Sequence, residues 1–284
     1  MPDSKQINVN TEFSDIRKMY ESQAQNSTLN ALVYGDFGTG KTYMLKTCPA
    51  PVFIDSFDPG GSKTLAKDIR EGRVLADTRW EREEGARTAE LWYNWEKVFR
   101  ERKKNGFFDH IGTYVLDSLT TASAAIMAAA MRKNSKNIPI QDLNVYIPQL
   151  RDYQVQMTVI ENIIKEFTGL PCHFICTAHM EAVKNEDGAT IAKIPLVTGK
   201  LAERLPSLFD EVYVTQSKER ASGLEYTLIT RNTGFFKARS RLAGNYPVDK
   251  QEPQDIKALL KKCGFPYEDK ELYLQDKGAE EKKS

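Results

Sequence analysis

Residues 32–45, LVYGDFGTGKTYML, open as an apolar run, turn on three glycines and resume as an amphipathic segment. Residues 35–42 fit G-x-x-x-x-G-K-[ST] in full, between an apolar strand and a helix start, where a phosphate-binding loop has to sit. Three glycines let the backbone curl until its N–H groups converge on phosphate oxygens, and the following helix adds its positive N-terminal end. The pattern therefore predicts a nucleotide cradle formed by Gly35, Asp36, Phe37, Gly38, Thr39, Gly40, Lys41, Thr42 and Tyr43. Lys41 would reach the β- and γ-phosphates of ATP, and the Thr42 hydroxyl would ligate Mg²⁺.

Such a loop needs a second metal anchor at the end of a neighbouring strand. TYVLDSLTT (113–121) supplies Asp117 after a run of strand-forming residues; taken alone, a strand-ending Asp reads as a cap for the next helix, but beside the P-loop it reads as the Mg²⁺ anchor. Working outward, β-rich runs at 31–35, 51–55, 112–117, 172–178 and 211–215 alternate with helical patterns, the clearest at 149–168 and 85–104. In the first, Tyr153, Met157, Ile160, Ile164 and Phe167 fall on one face. This alternation predicts an α/β fold with a mainly parallel central sheet flanked by helices. Past residue 180, the Asp187-Gly188 turn and the alternating run 224–232 predict antiparallel strands that continue the sheet. A last helix is expected at 254–263, with a mobile tail, QDKGAEEKKS, behind it. The expected division is an N-terminal arm or helix (1–27), a core (28–245) and a C-terminal helix with tail (246–284).

The 284 residues are enough for one large domain, and 40 Lys and Arg against 39 Asp and Glu leave no global charge to steer the protein toward nucleic acid. The opening MPDSKQINVNTEF lacks a signal pattern, and the longest small-apolar stretch, ASAAIMAAAM (122–131), is too short to span a bilayer. A soluble, cytoplasmic protein with no membrane partner is expected. Four cysteines are too few for a disulfide scaffold. A zinc site using Cys172, Cys176 and His173 or His179 conflicts with their strand setting, since four residues of strand span about 13 Å.

Taken together, the P-loop, the VFID strand (52–55), VLDSLTTA (115–122) and FICTAH (174–179) resemble the RecA-like ATPase core. Within that group the chain is similar to compact phage-encoded ATP-binding proteins of the single-strand-annealing recombination type, over about residues 28–245. The resemblance implies a RecA-like P-loop NTPase that assembles with itself as a ring or filament and acts on single-stranded DNA. It also implies a water-activating carboxylate after the strand that follows the P-loop helix. The family's Glu position holds Phe57 here; Asp58 is the nearest substitute and Asp55 the runner-up, while the Asp-Pro-Gly context of Asp58 equally suits a plain turn. His179, after the FICTA strand, matches the family's γ-phosphate sensor position.

In TGFFKARSRLAG (233–244), Lys237, Arg239 and Arg241 recur at period two, so that in an extended chain they would share one face about 7 Å apart. KAR resembles the Lys-x-Arg pair that reaches the neighbouring subunit's ATP in RecA-like assemblies; a solvated edge is the alternative. DNA contacts would come from 131–146, with Arg132, Lys133 and Lys136, and from 181–200, with Lys184, Lys193 and Lys200; both segments mix acids with bases, and a solvated loop is the alternative for each. Two further readings stay open: a small-molecule phosphotransferase with KARSR as its lid, and a nucleotide switch that binds only proteins.

Overall fold

Strands buried on both faces form the middle of one sheet, as their continuous apolar runs require. The computed structural model describes residues 9–22, 27–82, 89–134, 136, 146–199, 201–221 and 223–272. Its strands are β1 (Asn30–Tyr34), β2 (Val52–Ser56), β3 (Val74–Asp77), β4 (Thr113–Asp117), β5 (His173–Ala178), β6 (Met180–Lys184), β7 (Thr190–Pro195), β8 (Glu211–Arg220), β9 (Gly223–Ile229), β10 (Arg239–Ser240) and β11 (Gln251–Pro253). Its helices are α1 (Val9–Ser22), α2 (Lys41–Met44), α3 (Ala66–Arg70), α4 (Leu91–Lys104), α5 (Leu119–Lys133), α6 (Leu150–Phe167), α7 (Leu201–Arg204) and α8 (Ile256–Lys262).

The main sheet runs β11-β9-β8-β1-β5-β4-β2-β3, with β10 also paired to β8. From β8 through β3 every pairing is parallel, and β9, β10 and β11 add antiparallel strands on the other side. This is the expected fold class. Alternation splits the core in two: Leu32 and Tyr34 face the layer of Trp92, Trp95, Phe99, Ile160 and Phe167, while Ala31 and Val33 face Met44, Ile256 and Leu260. On α6 the apolar face is buried from Ile160 onward, whereas Tyr153 remains partly exposed near the start.

Three expectations need correction. The hairpin β6–β7 does not continue the main sheet but forms its own two-stranded sheet, because β5, which leads into it, already has β1 and β4 on its two sides. The segment after 246, set apart from the core in the expected division, packs into it: β11 pairs with β9, and Ile256, Leu259 and Leu260 of α8 are buried. The parallel set also has an edge strand not expected from the sequence, β3, formed by VLAD, a run too short and too mixed to stand out. The N-terminal helix α1 is exposed from Asn10 on. The tail 275–284, the first residues of the 85–104 helical pattern and most of 137–146 lie outside the described residues. No helix among the described residues is long and apolar enough to cross a membrane.

Candidate functional site

The loop after β1 is shaped by close contacts that only glycine permits. A Cβ on Gly35 would lie 2.0 Å from Thr215 Oγ1 on β8, and Gly40 has φ 87° with a Cβ position 2.6 Å from Gln254 Oε1. Gln254 Nε2 donates to the Thr39 carbonyl at 2.8 Å, so the C-terminal segment buttresses the loop. Neither Thr215 nor Gln254 carries a sequence signal for this role, because topology alone brings them there. Lys41 Nζ donates to the carbonyls of Gly35 and Asp36, both at 2.9 Å. Burial pulls the Lys41 ammonium below its ordinary value, with Asp117, Asp58 and Asp36 opposing the shift. Phe37 is 84% exposed at the tip, and Tyr43 packs near Tyr226 on β9, with ring centroids 6.1 Å apart.

Thr42 and Asp117 meet at the start of α2. Thr42 Oγ1 donates to Asp117 Oδ2 at 3.1 Å, and Thr177 on β5 donates to the other oxygen, Oδ1. Burial raises the Asp117 pKa, opposed by the Thr177 and Thr42 hydrogen bonds and by Lys41. Among the described residues no group of three or more His, Cys, Asp or Glu could hold a metal. One hydroxyl and one carboxylate suit Mg²⁺, which keeps waters and takes further ligands from nucleotide phosphates.

Asp58 stands beside this pair. Its N–H donates to the Asp117 carbonyl at 3.2 Å. Its Oδ1 accepts from Ser118 Oγ and Thr121 Oγ1, both at 2.9 Å, and its Oδ2 lies 3.1 Å from His179 Nε2. Burial pushes the Asp58 carboxyl up, but the hydrogen bonds from His179, Thr121 and Ser118 outweigh it and leave the pKa below the ordinary value. The His179 ring also packs on Phe37 with centroids 4.9 Å apart, and its backbone N–H donates to Thr120 Oγ1. Glu81 holds the Asp58 loop from behind, accepting from Ser56 Oγ at 2.8 Å and Gly60 N at 2.9 Å. The hydroxyl-rich SLTT run (118–121) is the one local signal that could have announced these contacts.

Asp55, the runner-up carboxylate, does not reach the site. It is buried among Trp80, Trp95, Tyr114 and Arg102, all four donating to it, so its lone pairs are committed to the core. Phe57, in place of the expected Glu, is likewise a core residue packed against Trp92 and Trp95.

The three cations of KARSR do not share one free face. Arg239 donates to the carbonyls of Pro206 and Phe209, and Arg241 pairs with Asp210 at 2.6 Å, near the N-terminal end of β8. Carbonyl oxygens hold Arg239 and a carboxylate of the same chain pairs Arg241. Lys237 is exposed, and its backbone N–H donates to Tyr34 OH. In the two basic loops, Arg132 pairs with Glu90, Lys133 lies over the Tyr93 ring and Lys193 pairs with Asp36 of the P-loop. Lys184 is exposed, the Lys136 backbone N–H donates to Asn134, and Lys200 lies outside the described residues. Cys172 and Cys176 are free thiols in the core.

Solved structures to which the chain is similar include a KaiC-like protein of the hyperthermophilic archaeon Pyrococcus horikoshii OT3. That match has 16% identity and a TM-score of 0.37, and covers 78% of this chain and 83% of that one. The flagellar accessory protein FlaH of Methanocaldococcus jannaschii is another, at 12% identity and a TM-score of 0.39, covering 82% and 88%. No curated protein gives a significant match. A family model described as an AAA domain matches residues 27–242, well over half of the sequence. The chain therefore belongs to this AAA domain family.

Proposed function

We propose that the protein is an Mg²⁺-dependent ATPase that works as a homo-oligomer and couples ATP binding and hydrolysis to the binding or remodelling of single-stranded DNA. The observation that carries the ATPase reading is the convergence of Lys41, Thr42, Asp117, Asp58 and His179 at one end of the parallel strands. That end of an α/β sheet is where ligand sites form. Lys41 would exchange its loop carbonyls for phosphate oxygens, and Thr42 with Asp117 would hold the Mg²⁺ that offsets phosphate charge.

Self-association is supported by Lys237, the one exposed cation of the KARSR run without an assigned partner among the described residues. It is the candidate for a finger on a neighbour's γ-phosphate. Single-stranded DNA, in a role of the phage recombination or annealing type, is supported by the sequence resemblance and by Lys184 on the projecting β6–β7 hairpin. This hairpin starts directly after His179, so a DNA contact there would adjoin the ATP site.

Measuring ATP turnover with and without single-stranded DNA across protein concentration tests the reading. Stimulation by DNA and a rise in specific activity with concentration are expected. Turnover that is independent of concentration and requires a small phosphoryl acceptor would replace it with the phosphotransferase, and nucleotide binding without turnover would replace it with the switch.

A further inference from the structure

Asp58 and His179 are unequal partners. Three donors already satisfy the Asp58 carboxylate, so it is poorly placed to take a proton from water. The ring differs. An ionised carboxylate only accepts, so the Nε2 that faces Asp58 carries the proton, and in the neutral ring Nδ1 keeps a bare lone pair. Nδ1 is buried and has no hydrogen-bond partner among the described residues. A buried acceptor left unpaired is costly, so this atom calls for a donor, and a phosphate oxygen, itself an acceptor, does not supply one.

We propose that His179 Nδ1 holds and orients the water that attacks the terminal phosphate of ATP, with Asp58 fixing the ring's tautomer and angle. This rests on the ATPase reading above and changes the roles within it. His179 becomes the catalytic residue, and Asp58 becomes its positioning residue. The water oxygen forms the new bond to the γ-phosphorus while the bond from that phosphorus to the β,γ-bridging oxygen breaks. ADP leaves with that electron pair. The water proton passes to Nδ1, giving an imidazolium paired with the Asp58 carboxylate, and returns to solvent after inorganic phosphate departs.

The charged groups around the ring are Asp58 from the loop after β2, with Asp117 of β4 and Lys41 of the P-loop beyond it. The Asp36–Lys193 pair joins the P-loop to β7 on the side of Phe37. The proposal and a γ-phosphate sensor differ in what the ring acts on. A water-holding ring works on the attacking water, so its loss lowers kcat and leaves ATP affinity near wild type. A sensor contacts the bound phosphate, so its loss weakens ATP affinity.

The test is Mg²⁺-ATP binding and turnover of wild type, His179→Gln and His179→Ala, with imidazole added back to the Ala protein. His179→Ala should bind ATP with near wild-type affinity and lose about 100-fold or more in kcat. Imidazole should restore part of this, which a misfolded protein would not show. Weakened ATP affinity with kcat preserved at saturation would overturn the proposal in favour of the sensor. Unimpaired turnover in His179→Ala would overturn it alone, whereas a wild type that binds ATP without turnover would overturn the ATPase reading and this step with it.

Discussion

Thr42 Oγ1 lies 3.1 Å from Asp117 Oδ2, joining the first turn of the P-loop helix to the end of a strand two places away in the sheet. β5 stands between β1 and β4 and supplies Thr177 as a third member of the contact. Replacing Thr42 with Val keeps the shape and removes the oxygen proposed to ligate Mg²⁺. The Mg²⁺ concentration for half-maximal turnover should rise by roughly tenfold or more, while thermal unfolding without nucleotide stays near wild type. A magnesium titration of turnover checks this.

Asp58→Asn should leave ATP binding near wild type and lower kcat by about 10²–10⁴-fold, because an amide facing Nε2 no longer fixes the tautomer that bares Nδ1. Asp55→Asn should act oppositely. It leaves buried donors of Trp95, Tyr114 and Arg102 poorly matched and should cost about 1–3 kcal/mol of stability. Denaturant melts and saturation kinetics on the two proteins separate these effects.

Lys237→Ala should be inactive alone yet fold normally, since its side chain is exposed. Its own P-loop is intact, so mixing it with inactive Lys41→Ala protein should restore part of the activity at mixed interfaces. Arg239→Ala is expected to lower stability instead, because its guanidinium ties down the carbonyls of Pro206 and Phe209. Absence of rescue in mixtures shown to co-assemble would exclude a finger in trans.

His173 predicts an acid-sensitive fold. Its Nδ1 accepts from Leu29 N–H at 2.9 Å, and burial pulls the ring from its ordinary 6.5 down to about 4. The unfolded chain therefore takes up a proton that the folded chain refuses between those values, and stability should fall by about 3 kcal/mol as pH drops across that window. Below it the loss is complete. His173→Asn, whose amide oxygen can take the same N–H, should flatten this part of the stability profile, measured as the difference between the two proteins.

What the sequence discloses is what is local. The places of Gly35, Gly40, Lys41 and Thr42 in the loop are legible because they follow from fixed spacing along one strand, turn and helix. Asp117 is legible because a strand end leaves one side chain facing that turn. Thr215, Gln254, Glu81 and Thr177 are not, since each reaches the site by a pairing of elements distant in sequence. The period-two cations of 237–241 mislead for the same reason. Spacing gives them one face, but the partners that consume Arg239 and Arg241 come from residues 206–210.

Mg²⁺-dependent ATP turnover by wild-type and Lys41→Ala proteins at matched concentration tests the central claim most directly. Among the described residues Lys41 hydrogen-bonds only to loop carbonyls, so its loss should leave the protein folded while turnover falls to background. Equal turnover by the two proteins, with both shown to be folded, would contradict the assignment of this loop as the ATP site.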